Sequence, residues 1–242
     1  MALDKERKKT LKVLQKRIGY KFKDRDLLDQ ALRHRSFAHE IPELIGNDNE
    51  RMEFLGDGLL GLSIGHLLMG RKPEDSEGSL SRMRAALVNE GRLAQIAREL
   101  DLGTYLLLGK GENRTGGREK NSILAASLEA LLGAVYLDGG FKKAFGVISN
   151  LFSSHLGAAE KEGYAEDFKT KLQELAQEIH KAAPRYVLSK EFGPDHNKVF
   201  GVKVLIKDRM AAVGAGRSKK EAEQRAARKA LGRMADRREG VQ

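Results

Sequence analysis

Over residues 1–157 apolar side chains recur every three or four positions, a spacing that predicts helices rather than strands. Leu11, Leu14 and Ile18 share a helical face, as do Leu27, Leu28, Ala31 and Leu32. Phe54, Leu55, Leu59, Leu62 and Leu67 form a longer apolar series, and Met83, Leu87, Leu93, Ile96 and Leu100 another. Ser122–Leu137 is more strongly apolar, with Ile123, Leu124, Leu128, Leu131, Leu132 and Val135. Glycines gather in loops, notably Gly109–Gly117, so the region reads as one all-helical domain with no long sheet. Around Ala158–Asp167 the chain turns small and charged, which predicts a linker at 158–165. Beyond it the period changes. Asp167–His180 places Phe168, Leu172, Leu175 and Ile179 on one helical face. Strands are predicted at Tyr186–Leu188, Val199–Ile206 and Met210–Ala215. Ser218–Met234 is helical again, with Ser218 as N-cap and Glu221 three residues on. Residues 166–236 thus read as a small α+β domain in the order α-β-β-β-α, with a short tail at 237–242.

Charge separates the two regions further. The 242 residues carry 44 Lys and Arg against 34 Asp and Glu, a formal charge of +10. Residues 1–160 hold 25 basic and 22 acidic side chains, whereas 161–242 hold 19 and 12. Such an excess in half the length favours a polyanionic partner, nucleic acid before an anionic membrane. No apolar run is expected to span a bilayer, and MALDKERKKT has no apolar stretch after its charges to act as a secretion signal. The absence of cysteine excludes disulfides, zinc-thiolate sites and thiol catalysis. The expectation is a soluble, intracellular protein that binds nucleic acid.

The chemistry concentrates in Glu50–Gly58, ERMEFLGDG. Glu50 and Glu53 are three apart, and Glu53 and Asp57 four apart, so a helix stacks all three carboxylates on one face. Like charges so placed destabilise the helix, and burial beside Phe54, Leu55, Leu59 and Leu60 raises the cost, which calls for a compensating cation. Oxygen ligands without His or Cys suit Mg²⁺ or Mn²⁺. Alone, the spacing also fits a solvated acidic face. A second source of carboxylate is Glu129, the one acid in Ser122–Leu137, although a lone acid there is also open to pairing with an arginine. One turn before it stands Ala126, which can ligate nothing. His34 and His39 are expected to pack or hydrogen-bond rather than catalyse.

ERMEFLGDG matches the nine-residue signature of ribonuclease III, the double-strand-specific endoribonuclease. The resemblance continues through ALRHRSFAHE at 31–40, EGSLSRMRAALVN at 77–89, the LGKGE, GGR and SILA pieces of 108–125, and SLEALLGAVYLD at 127–138. The second region resembles a double-stranded RNA-binding domain, with LQE at 172–174, GPDH at 193–196 and SKKEAE at 218–223. The resemblance implies a cytoplasmic, homodimeric, Mg²⁺-dependent hydrolase of phosphodiester bonds in duplex RNA that processes ribosomal and other precursors. It implies catalytic roles for Asp57 and Glu129, metal ligation by Glu53 and Glu129, and accessory acidic roles for Glu50 and Glu77. The apolar stretch around Phe54–Leu60 is the candidate subunit contact. The family's pattern has an aspartate where this chain has Ala126, so one metal ligand is absent while its neighbours remain. That departure implies an impaired or silent site, and the intact surroundings point to a deliberate inactivating substitution rather than natural decay. A non-cleaving RNA-binding protein is the alternative.

For RNA, the resemblance implies that Gln173 and Glu174 reach 2′-hydroxyls of one minor groove and that His196 reaches the next. Lys219 and Lys220, at a helix N-terminus, would attract phosphate through side-chain charge and helix dipole together, with Arg217 and Ser218 as helpers.

Overall fold

The protein divides into two compact units, residues 1–165 and 166–242. A computed structural model describes the backbone of residues 3–161, 168–193 and 198–239, and the side chains of 3–158, 168–193 and 198–234. The first unit comprises α1 (Lys5–Arg17), α2 (Arg25–Ala31), α3 (Arg35–Ala38), α4 (Glu50–Arg71), α5 (Glu77–Val88), α6 (Glu90–Glu99), α7 (Lys110–Arg114) and α8 (Asn121–Lys161). Its one strand-like feature among the described residues is an isolated bridge between Arg33 and Leu107, as the helical pattern predicts. Polar caps set where the helices start. Asp4 accepts from the Arg7 N–H at 2.7 Å, Asp24 from Asp26 at 2.8 Å, and Asn89 from Arg92 at 2.9 Å, each satisfying a donor the helix leaves unpaired.

Helices α4 and α8 form the centre. Met52, Leu59, Leu60, Ile64 and Leu68 of α4 are buried, as are Leu124, Leu128, Leu131, Leu132 and Val135 of α8. The crossing has no room for side chains. A Cβ added at Gly56 would run into the Glu129 carbonyl, and one at Gly133 into the Met52 carbonyl, so the two backbones touch there. Helix α8 bends at Gly140, whose φ of 75° no ordinary helical residue adopts. Just before the bend, Asp138 accepts hydrogen bonds from the Tyr20 hydroxyl at 2.6 Å and from the Asp24 and Lys23 N–H groups at 2.8 and 3.0 Å. Burial alone would raise its pKa, but these donors hold it below the ordinary carboxylate value.

The entry to α4 is pinned by a buried ionic network. Asp29 accepts from Arg7 at 2.7 Å and from Arg33 at 2.8 Å, while Arg33 also donates to the Asn47 carbonyl at 2.7 Å. The Asn49 N–H returns a bond to the Arg33 carbonyl at 3.0 Å, so the residue preceding Glu50 has one fixed place.

Two expectations change. The sequence predicts no run long enough to cross a bilayer, yet Asn121–Ala158 passes that test by length and composition. Its most apolar window is 61% buried within the protein, which is the environment of a core helix. The linker predicted at 158–165 begins as helix, because α8 continues to Lys161 through Ala158, Ala159 and Glu160, all compatible with a helix; residues 162–165 lie outside the described residues.

The second unit contains α9 (Phe168–His180), β1 (Arg185–Phe192), β2 (Val199–Ile206), β3 (Arg209–Gly216) and α10 (Lys219–Glu239). The sheet is antiparallel in the order β1-β2-β3. Lys207 and Asp208 both take positive φ in the tight turn between β2 and β3, the geometry that matches the strands' twist. Leu172 and Ala176 of α9 meet Val204, Ile206 and Ala212 of the sheet and Ala226, Ala227 and Ala230 of α10 in one small core. Alanines let α10 lie close on β3, where a Cβ at Gly214 would meet the Ala222 and Ala226 backbone.

Substituting Gly133→Ala should therefore force α4 and α8 apart. A destabilisation of about 2–3 kcal/mol is expected from overpacking, measured by urea unfolding. Unchanged stability would show that the crossing relaxes freely.

Candidate active site and nucleic-acid interface

Helix α4 opens with Glu50, and Glu53 and Asp57 follow on the same face, as their spacing predicts. Glu129 approaches from α8, because its own carbonyl is the group pressed against Gly56, one residue before Asp57. The three side chains then feel one another. Burial first, and next the charges of Glu50 and Asp57, raise the Glu53 pKa above its ordinary value. Burial, followed by the charges of Asp57 and Glu53, pushes Glu129 up to about 7. Glu53 and Glu129 are half-buried and Asp57 is exposed, so the group sits at the rim of the core. Glu129 makes no ion pair with an arginine among the described residues.

The remaining predicted acids have different surroundings. Glu50 pairs with Arg35 of α3 at 3.3 Å, an exposed contact that the sequence reading missed because the two residues are 15 apart with no shared helix. Glu77 opens α5, is exposed and accepts from the Ser81 hydroxyl at 2.7 Å; it is not among the charges that shift Glu53 or Glu129. Ala126 is half-buried one turn before Glu129 on α8 and offers only a methyl group. The carboxylate chemistry suits a hard divalent cation. The number of donors falls short, since among the described residues no three acids or histidines close into a set that could hold a metal ion. His34 Nδ1 lies 2.8 Å from the Ser36 hydroxyl and accepts from the Ser36 N–H at 3.3 Å, capping α3 as a structural residue.

In the second unit, Gln173 and Glu174 are both exposed on α9. The Ser218 hydroxyl accepts from the Glu221 N–H at 3.1 Å, and Glu221 reaches back to the Arg217 N–H at 2.7 Å, so the predicted N-cap is formed. Lys219 and Lys220 project from the first turn into solvent. Lys219 lies 3.9 Å from Glu191 and 5.8 Å from the centre of the Phe200 ring. His196 lies outside the described residues.

Residues 24–156 match the family model described as ribonuclease-III-like, and residues 168–234 the double-stranded RNA binding motif. The chain belongs to the ribonuclease III family. It is 52% identical over 225 residues to Ribonuclease 3 of Syntrophobacter fumaroxidans, covering 91% of this chain and 93% of that protein. It is 48% identical over 221 residues to Ribonuclease 3 of Geobacter sulfurreducens, covering 91% and 89%. The nuclease domain of ribonuclease III from Campylobacter jejuni superposes with a TM-score of 0.56 at 42% identity, over 61% of this chain and 96% of that one. A second Campylobacter jejuni structure, with the same score and identity over 60% and 96%, is described as flexible in a region involved in dimer formation. Membership of the ribonuclease III family points to a divalent metal as cofactor.

The Glu129 shift carries a pH signature. Its folded pKa exceeds the unfolded value, so the stability it contributes is present below the ordinary carboxylate pKa and lost as pH rises through about 7. In metal-free buffer, Glu129→Gln should flatten that part of the stability–pH curve, and Asp57→Asn should lower the Glu129 pKa in carboxyl-carbon NMR titration. Titration of Glu129 near 4.5 in the unaltered chain would contradict both.

Proposed function

We propose that the chain is an endoribonuclease that hydrolyses phosphodiester bonds in double-stranded RNA. The observation that carries this reading is the meeting of Glu53, Asp57 and Glu129 at the α4–α8 crossing of a ribonuclease III nuclease unit, in a chain that also bears a double-stranded RNA binding motif. Glu53 and Glu129 are the side chains to hold a divalent ion, Mg²⁺ with Mn²⁺ as substitute, and Asp57 is the acid beside them. Bound there, the ion would polarise a phosphoryl oxygen and lower the pKa of a water. The chain's own contribution is to hold two half-buried carboxylates and one exposed one together, with Glu50 beside them paired to Arg35 at 3.3 Å. Glu77, exposed at the start of α5, is read as an accessory acid.

Ala126 impairs this activity. It stands one turn before Glu129 on α8, where a carboxylate would join it, and losing a ligand should cost at least the 10–100-fold typical of disturbing a metal's surroundings. RNA is held by the second unit: Lys219 and Lys220 on phosphates, Gln173, Glu174 and His196 on the minor-groove face, with Arg217 and Ser218 ordering the turn. The division of labour is a catalytic and dimerising domain at 1–157, a linker at 158–165 that starts on the last turn of α8, and an RNA-binding domain at 166–236, in a cytoplasmic protein that processes RNA precursors.

The chain is also read as a homodimer. Of the apolar stretch Phe54–Leu60, Leu59 and Leu60 are in the core, whereas Phe54 is 84% exposed. The candidate contact is therefore the outer side of α4, where Leu62 and Met69 are exposed with it. Dimerisation fits the chemistry, since the two strands of a duplex are cut from opposite sides.

Two measurements test the reading. Incubated with labelled RNA duplex and Mg²⁺, the Ala126→Asp variant should cut at least 10-fold faster than this chain. Equal cutting would remove position 126 from the ligand set, and binding without cutting by both would leave a non-cleaving RNA-binding protein. Lys219→Ala with Lys220→Ala should weaken duplex binding about 10-fold at low salt with little change in thermal stability, by fluorescence anisotropy and calorimetry. Unchanged affinity would sink their phosphate role.

A further inference from the structure

Charge in the first unit is not spread evenly. Residues 1–17 hold seven Lys and Arg against two acids, whereas residues 18–160 hold 18 against 20. The excess of that unit is thus the excess of α1. Arg7 and Arg17 are spent within the fold, Arg7 on Asp29 and the Tyr105 carbonyl, Arg17 on the Leu100 carbonyl and Asp101. Lys5, Lys8, Lys9, Lys12 and Lys16 are all exposed, and among the described residues none pairs with an acid. Lys120 of the same unit does find an acid, Glu112 at 2.6 Å; what sets α1 apart is that five such lysines stand on one helix.

Helical geometry puts the five lysines on one face. Lys5, Lys9, Lys12 and Lys16 follow the i, i+4, i+7, i+11 row, with Lys8 beside it, in an arc of about 100° and about 16 Å long. Leu11, Leu14 and Ile18 are buried on the opposite side. Five unpaired like charges on one short helix repel one another, a cost that a polyanion removes. The Asp4 cap and the buried side keep the row ordered without a ligand.

We propose that the lysine face of α1 is a second RNA-binding surface, on the nuclease unit itself, which grips the phosphate backbone of the duplex. This rests on the double-stranded RNA reading above and adds a contact outside the RNA-binding domain. A backbone phosphate suits compact ammonium groups, which act as point charges without base readout. An anionic membrane fits less well: the apolar side of α1 is sunk in the protein core and cannot enter a bilayer, leaving Val13 as the one large apolar side chain exposed on the helix. Tethered to a domain that binds the same duplex, a weak surface gains from effective concentration and needs little affinity of its own.

The test uses the full chain and a labelled RNA duplex, with affinity followed against salt. Lys9→Gln, Lys12→Gln and Lys16→Gln together should make the slope of log affinity against log salt shallower by about 2–3 units and lower affinity at least 10-fold at 0.1 M salt. A control with the same charge loss at Lys72, Lys142 and Lys143 should shift the slope by less than about one unit. Equal shifts in the two variants would make the effect one of net charge and overturn the surface. An α1 variant that binds like the unaltered chain, while Lys219→Ala with Lys220→Ala weakens binding, would overturn it and leave the proposed function standing. Retained RNA affinity with lost binding to phosphatidylglycerol vesicles would reassign the face to membranes. An unaltered chain with no affinity for the duplex would fail both readings.

Discussion

The backbone contact between α4 and α8 is the constraint on which the first unit depends. Helices with ordinary side chains keep their axes about 8–10 Å apart. At Gly56 and Gly133 there is no side chain to hold them off, and the carbonyls of Glu129 and Met52 occupy the space instead. Two consequences follow from that one closeness. The apolar rows of α4 and α8 interdigitate along their length as the centre of the core. The acids that flank the contact, Glu53 and Asp57 on one helix and Glu129 on the other, are carried within electrostatic reach of one another.

The arrangement works against stability. Half-burying two carboxylates beside a third costs free energy that no cation among the described residues offsets, and the raised pKa of Glu129 records that cost. Structures hold such strain where a rigid surround leaves no escape. Here the surround is the buried ionic network of Arg7, Asp29 and Arg33, which fixes the residues leading into α4, and the Asp138 tether, which fixes α8 before its bend.

The two units solve electrostatics in opposite ways. The nuclease unit gathers acids where chemistry is expected and keeps its surplus of cations on α1, on the side of that helix away from the core. The smaller unit, which matches the double-stranded RNA binding motif, spreads its basic residues along its length and sets Arg217, Lys219 and Lys220 around a capped helix start. Duplex RNA offers a regular surface of phosphates and 2′-hydroxyls with little sequence to read, so fixed cations on rigid elements suit it better than adaptable loops.

Local pattern determined much of this protein. The helical period of the first unit, the helix, three strands and helix of the second, the Ser218 cap, and the shared face of Glu50, Glu53 and Asp57 are all set by spacing along the chain, since each depends on neighbours within about one or two turns. Tertiary structure decided the rest. That Phe54 faces solvent while Leu59 and Leu60 are buried, that Ser122–Leu137 is a core helix running on to Lys161, and that Arg35 holds Glu50 all depend on partners far away in sequence. The joining of Glu129 to the α4 acids is the clearest case. The residues are more than 70 positions apart, and they meet because two glycines let two backbones touch. A glycine within a helix signals only that a side chain is missing; what fills the space is decided by the helix that packs there.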